Sequence, residues 1–393
     1  MFRVTNLQPL LQPAIHLNHR RCRQQAAGSR QQAASGELAG LRARGGSQSK
    51  HSSKASAKDQ NVPPRLRTKI DSVKHRLRHA SDPLAEYGRA AVDRARGKTN
   101  VDIAALDVAH LDAMVEVENL RNPGLNLQHF RNHMEFIEAL KAEGPASFRA
   151  IIPQTDLDTG LPHEHHVMAD VRLRPGEPPS VIVTEPAVIV DDKLGQLHRH
   201  NLMLDALEEH GIPLSQVAVI EATAQKSKVD CVMYSLHYAI KAHKNASHFD
   251  ELHQGLQRGS SPAGLDSRAR TSLHVMENPR LRGPALDAHA AFGADVLPAD
   301  FYKHGASLTQ AEQLISRPDG RMAGQVNGPG HDKAENLVER NQAFRVPRER
   351  YPGEAGPSDA QFSASIDGFR LQEIERVLAA AAGKPVVPSK SSS

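Results

Sequence analysis

Gln216-Val-Ala-Val-Ile-Glu-Ala222, then Thr223-Ala-Gln-Lys-Ser-Lys-Val-Asp230, then Cys231-Val-Met-Tyr-Ser-Leu-His-Tyr-Ala-Ile-Lys-Ala-His243: three pieces of one stretch decide the fold. The first is short and β-rich, bounded by polar residues, and reads as a strand. The second is a polar loop. In the third, Val232, Leu236 and Ile240 recur at helical spacing, which predicts an amphipathic helix from Cys231 to about His243. Working outward, residues 148–152, 167–173 and 180–184 are further β-rich runs, and 193–210 is helix-like, stopping at Gly211-Ile212-Pro213. Two helices precede them. One carries Val101, Ile103, Leu106, Val108, Leu111 and Met114 and breaks at Asn122-Pro123-Gly124. The other, from about Leu127 to Lys141, places Phe130, Met134, Ile137 and Leu140 on one face. A last helix is expected from Phe369 to Ala382, with Gly383 just past its end. The sum is an α+β fold, a small sheet flanked by helices.

The flanks differ in character. Hydrophobic residues make up 39% of the 393-residue chain and aromatics 4%, with no Trp, so part of the chain is expected to stay unpacked. Before Asp59 there are ten Lys or Arg and one acid, Glu37, in a context of Gln, Ser, Ala and Gly. Such a segment reads as an organelle transit peptide, an unfolded export leader or a plain solvated tail. Residues 67–80 are basic with sparse apolar positions, compatible with a short helix. The expected organisation is a disordered basic leader over 1–95, a helical regulatory segment over 96–147 and a catalytic core over 148–255. A C-terminal regulatory and cofactor-binding region follows over 256–383, with residues 317–358 as a long loop, and then a disordered tail over 384–393. No run approaches the ~20 apolar residues of a membrane span, and Met1-Phe2-Arg3 does not open a secretory signal. The net charge of +4 does not by itself argue for nucleic acid. Of the two cysteines, Cys22 falls in the low-complexity segment, so a structural disulfide with Cys231 is not expected.

Chemistry gathers around Cys231. A thiol at a helix N-terminus faces unpaired N–H groups and the positive end of the helix dipole, both of which favour the nucleophilic thiolate; the plain alternative is a buried core cysteine. Gln225, six residues upstream, offers an amide donor to an oxyanion. His165, in His163-Glu164-His165-His166-Val167-Met168-Ala169-Asp170, sits at the start of a strand, where a general base is firmly held. His163 and His165 share one face of an extended strand, which also admits a metal reading, but no third ligand has persuasive spacing, His198 and His200 included. Glu185 ends the next run, 20 residues after His165, and orients the imidazole if the two strands are neighbours. Each signal alone is weak; the order His, acid, Gln, Cys is the informative part.

These motifs resemble the YopJ-type effector acetyltransferases, which share an Ulp-like (clan CE) cysteine-protease-like core. The resemblance rests on His165-His166-Val167-Met168-Ala169-Asp170, Ser180-Val181-Ile182-Val183-Thr184-Glu185-Pro186 and Gln225-Lys226-Ser227-Lys228-Val229-Asp230-Cys231. Asn119-Leu120-Arg121-Asn122-Pro123-Gly124, Ser147-Phe148-Arg149 and Leu297-Pro298-Ala299-Asp300-Phe301-Tyr302-Lys303-His304 add to it, over roughly residues 100–345. It implies a catalytic set of His165, Glu185, Cys231 and Gln225, with His166 as the alternative base, and Lys303 as a self-acetylated lysine. It implies acetyl-CoA as donor, inositol hexakisphosphate as activator, and Ser, Thr or Lys of host signalling or immune proteins as acceptors after type III secretion. Arg121, Arg149 and Lys303 are candidate contacts for the phosphates. Val232 stands where relatives often carry Gly, a bulkier neighbour for the acyl group. Two other readings stay open: a cysteine protease of ubiquitin-like conjugates, through the same acyl-enzyme, and a non-enzymatic protein binding through its basic start.

Overall fold

The structure is a computed structural model that describes residues 61–98, 102–142, 147–155, 162–189, 196–258, 288–326, 334–347 and 361–389. Its centre is a six-stranded mixed sheet in the order β1 (Leu127–His129), β2 (Phe148–Thr155), β3 (Pro162–Arg172), β4 (Ser180–Glu185), β5 (Val217–Glu221) and β6 (His289–Phe292). β2, β3 and β4 form an antiparallel meander, while β1 pairs parallel with β2, and β4, β5 and β6 pair parallel with one another. Every residue of β4 and β5 is buried, as expected of strands covered on both faces, which read as continuous apolar runs.

Alternate side chains of the strands feed two cores. Ile151, Met168, Ile182, Ala218 and Ile220 face α7 (Cys231–Lys244) and α8 (Ala246–Gln257). Ile152, Val167, Ala169, Val181, Val183, Val217 and Val219 face α5 (His133–Lys141) and α6 (Gln196–Glu209). A helical layer lies beyond α7: α1 (Pro64–Arg76), α2 (Asp82–Ala95), α3 (Ile103–Ala109), α4 (Leu111–Arg121) and the long α11 (Ser365–Ala381). Between sheet and C-terminus come α9 (Leu308–Ile315), α10 (Leu337–Gln342) and a two-stranded ribbon of β7 (Arg345–Pro347) and β8 (Gln361–Ser363).

Five expectations are corrected. The leader expected over 1–95 does not extend that far. Leu66, Ile70 and Val73 of α1 and Tyr87, Ala91 and Val92 of α2 are buried in the main core; its low-complexity part, residues 1–60, lies outside the described residues. The helix expected from Leu127 begins instead as β1, because Asn126 takes a positive φ of 47° and Asn119 brackets Leu127 with two hydrogen bonds. The long loop over 317–358 contains α10, started by a capping box of Asn336 and Glu339. The tail is ordered as far as Ser389, whose N–H donates to the Arg121 carbonyl at 2.7 Å. The sheet expected within 148–255 is also wider, since β1 and β6 extend it on both sides.

Candidate active site

β4 and β5 run parallel with Glu185 opposite Glu221, so both strands end together. The chain leaving β5 folds back over the end of β4. Ala222 N–H donates to the Glu185 carbonyl at 2.8 Å and Gln225 N–H to the Pro186 carbonyl at 2.9 Å. Within this loop Thr223 holds a φ of 58°, costly for a β-branched residue. Gln310 of α9 holds it there, its Nε2 donating to both the Thr223 carbonyl and Oγ1 at 2.9 Å. The loop ends at Cys231, the first residue of α7. One turn later, Ser235 Oγ donates to the His166 carbonyl at 3.1 Å, tying the thiol's helix to the strand that bears His165.

His165 Nε2 lies 2.9 and 3.0 Å from the two Glu185 oxygens, and the same ring hydrogen-bonds the Cys231 thiol. All three residues are almost fully buried. Burial alone would push the imidazolium down. The Glu185 charge and the hydrogen bonds to Cys231 and Glu185 outweigh it, and His165 is raised to about 10. Burial likewise pushes Glu185 up, but the His165 charge and the hydrogen bonds from His165 and His200 hold it well below the usual carboxylate range. The arrangement at neutral pH is therefore an imidazolium between a carboxylate and a sulfur. His166, one residue on, points to the other face of β3, where its ring lies 6.2 Å from that of His129.

Glu185 is more heavily used than its strand-end position suggests. Besides His165, it accepts from the Ala187 N–H at 2.7 Å and from His200 Nε2 of α6 at 3.0 Å. Only the pairing of α6 with the sheet brings His200 there, so no sequence signal marks it. Gln225 is buried beside the site; its Nε2 donates to the Ser227 carbonyl at 2.6 Å and its Oε1 has no partner among the described residues. Val232 is wholly buried in the main core. Among the described residues no group of three His, Cys, Asp or Glu side chains is placed to hold a metal ion; the His163 side chain lies outside them.

Lys303 belongs to a second place. There Lys241 and Lys244 of α7 and Arg340 of α10 lie near it, Arg340 and Arg376 of α11 lie near Lys69 of α1, and Arg121 of α4 lies near Lys244. Burial first, then the neighbouring Lys241 and Arg340 charges, push the Lys303 amine well below its ordinary value. Burial and Arg340 likewise lower Lys69 to about 8. Arg149 is not part of this cluster: its Nε lies 2.9 Å from the buried Asp170 and its Nη1 donates to the Leu125 carbonyl.

A family model described as YopJ serine/threonine acetyltransferase matches residues 73–376. The chain belongs to this acetyltransferase family. It is 62% identical over 317 residues to the serine/threonine-protein acetyltransferase HopZ1a of Pseudomonas syringae pv. syringae, spanning 80% of this chain and 86% of that protein. It is 31% identical over 205 residues to the serine/threonine-protein acetyltransferase NGR_a02610 of Sinorhizobium fredii, spanning 50% and 75%. The crystal structure of HopZ1a in complex with IP6 and CoA matches with a TM-score of 0.75 at 60% identity, covering 81% of this chain and 99% of that one. A structure of AvrA with IP6 and CoA matches at 19% identity with a TM-score of 0.56, a likeness of fold alone.

Proposed function

We propose that this acetyltransferase carries acetyl from acetyl-CoA on the sulfur of Cys231 and delivers it to Ser, Thr or Lys side chains of host proteins, activated by inositol hexakisphosphate. The buried line of Cys231, His165 and Glu185 carries the reading. The Cys231 thiolate adds to the thioester carbonyl carbon, and the π pair moves onto oxygen. That oxyanion meets N–H groups at the start of α7 and the Gln225 amide hydrogen that Ser227 does not take. Collapse expels the CoA thiolate, which takes the proton of the His165 imidazolium. The acylated sulfur is neutral, so the imidazole has lost one of the partners that raised it and now acts as a base. It removes the acceptor's proton as the oxygen or nitrogen attacks, and the second collapse restores the Cys231 thiolate beside imidazolium.

The basic cluster supports the activator. Its cations lower one another's basicity, and a polyanion bridging them relieves that repulsion with charge-assisted hydrogen bonds. HopZ1a, 60% identical, was crystallised with IP6 at TM-score 0.73. Family membership supports Lys303 as the self-acetylated lysine. The placement of histidine, acid and cysteine around one sheet edge supports an Ulp-like (clan CE) core, and family membership supports type III delivery into a host cell. On this reading residues 61–121 and 334–389 regulate a core spanning β1 to β6. Nothing favours cleavage of ubiquitin-like conjugates or a purely binding role.

The test is transfer of radiolabel from acetyl-CoA to the protein and to a host lysate, with and without inositol hexakisphosphate. Wild-type protein should label itself and acceptors only with the activator, and Cys231→Ala should do neither. Labelling by Cys231→Ala equal to wild type sinks the proposal.

A further inference from the structure

Asp is among the residues that most favour capping a helix N-terminus. Asp230 stands at the capping position of α7, immediately before Cys231, yet its side chain makes no capping hydrogen bond. Its backbone sits at φ −110° and ψ 7°, away from the extended conformation from which a side chain reaches back to the helix N–H groups. The carboxylate is instead drawn backward. One oxygen accepts from Arg370 Nη2 at 2.6 Å; the other accepts from Ser227 Oγ and lies 3.6 Å from Arg94 Nη2. Arg370 is itself wholly buried and anchored by Asp107, at 2.8 and 2.9 Å, and by Asp367. Tyr87 donates to Asp107 at 2.6 Å and completes the network.

We propose that Arg370, assisted by Ser227, is a positioning residue that withholds the Asp230 carboxylate from the start of α7, reserving the helix N-terminal N–H groups for the Cys231 sulfur and the oxyanion formed beside it. The inference rests on Cys231 being the nucleophile. A helix N-terminus holds one anion well; a capping carboxylate would occupy N–H groups that the reaction needs and would repel both thiolate and oxyanion. An aspartate has a use where it stands. It receives Arg370 and Arg94, two buried cations that with Asp107 and Asp367 bind α2, α3 and α11 behind the nucleophile.

The experiment uses the full chain with inositol hexakisphosphate and a set of conservative variants, each checked by its melting transition. Ser227→Ala removes one tether at a partly buried position. It should slow alkylation of Cys231 by iodoacetamide at pH 7 about fivefold, the factor that corresponds to losing a favourable helix-end interaction. It should lower kcat about tenfold, with KM for acetyl-CoA unchanged, less than the loss of a whole oxyanion donor. Arg370→Lys keeps the cation, loses the fork and should act in the same direction. Adding Asp230→Ala to either variant should restore alkylation and kcat to within about twofold of wild type, because no carboxylate is left to cap; Arg94 and Arg370 still have Asp107 and Asp367. A merely structural cluster predicts the opposite, each added deletion doing further harm. The proposal is overturned if Ser227→Ala and Arg370→Lys alkylate at the wild-type rate, or if Asp230→Ala fails to rescue them. Alkylation is read without acetyl-CoA, so it stands apart from the labelling of Cys231→Ala that tests the nucleophile itself.

Discussion

At the residue scale the site is organised by one carboxylate. Glu185 holds His165, His200 and the Ala187 N–H at once, in a place where an unpaired carboxylate would be costly. Glu185→Gln should therefore lower kcat by about three to four orders of magnitude, with KM for acetyl-CoA little changed, as loss of an orienting carboxylate does elsewhere. His200→Ala leaves the other two contacts and should cost about tenfold; steady-state kinetics on acetyl-CoA separates the two. The pair also fixes a pH window for stability. His165 is raised from 6.5 to about 10, so its contribution is complete below 6.5 and is lost as the pH rises through 10. Glu185 is lowered from 4.5, so its contribution is complete above 4.5 and is lost at lower pH. The melting temperature of wild type minus that of Glu185→Gln should be largest between pH 4.5 and 6.5 and shrink on both sides. A difference independent of pH would mean that the two groups are not an ion pair. Glu185 and Cys231 were legible because each sits at an element boundary where a rigid backbone aims a side chain; His165 was legible from the motif it opens, although β3 begins three residues earlier, at Pro162, and holds it inside the strand. His200 was not, since nothing local distinguishes a histidine in the middle of a helix.

At the scale of elements, the strands most legible in the sequence were those buried on both faces. β2, β4 and β5 each contain a continuous apolar run, and the helix predicted from Cys231 matches α7 to within a residue. β1 and β6 have three and four residues, too few for a period, and exist only because the sheet edge offers partners. The cation cluster was harder still: Lys69, Arg121, Lys303 and Arg376 come from segments far apart in the chain, and only the packing of α1 against α11, and of α4 and α11 against α7, joins them. Arg370 and Arg376 both lie on α11, so the proposed activator site and the tether of Asp230 share one helix. A polyanion bound there raises the lysines it touches. Burial and the Arg340 charge lower Lys69 to about 8, so binding of inositol hexakisphosphate beside it at pH 8 should take up protons there. Calorimetry in buffers of different ionisation enthalpy measures that uptake. Lys69→Met should reduce it at pH 8 and leave it unchanged at pH 6, where Lys69 is already charged. Equal uptake by both proteins at pH 8 would remove Lys69 from the site.

At the scale of the molecule, the helical layer is part of the folded body. Leu66, Ile70 and Val73 are buried against the main core, Lys69 donates to Gln372 at 2.7 Å and Ser72 to Glu375 at 2.6 Å. The basic composition that marks residues 1–60 continues into α1, and because its apolar positions are sparse, the burial of α1 in the main core was not legible. Burial of those three side chains alone is worth roughly 5–8 kcal/mol, comparable to the whole stability of many domains. A chain beginning at residue 61 should melt with wild-type cooperativity and keep its response to inositol hexakisphosphate. A chain beginning at residue 97 exposes the surface that α1 and α2 cover, loses Lys69, and strips Arg94 from Asp230. It should melt far lower or aggregate. Even where it stays soluble, the activator should no longer raise its melting temperature, whereas a ligand at a hundredfold its Kd stabilises an intact site by about 2.7 kcal/mol. Size-exclusion chromatography and melting curves with and without the activator decide the matter. Activator-stimulated labelling by the shorter chain would return α1 and α2 to the status of a dispensable leader.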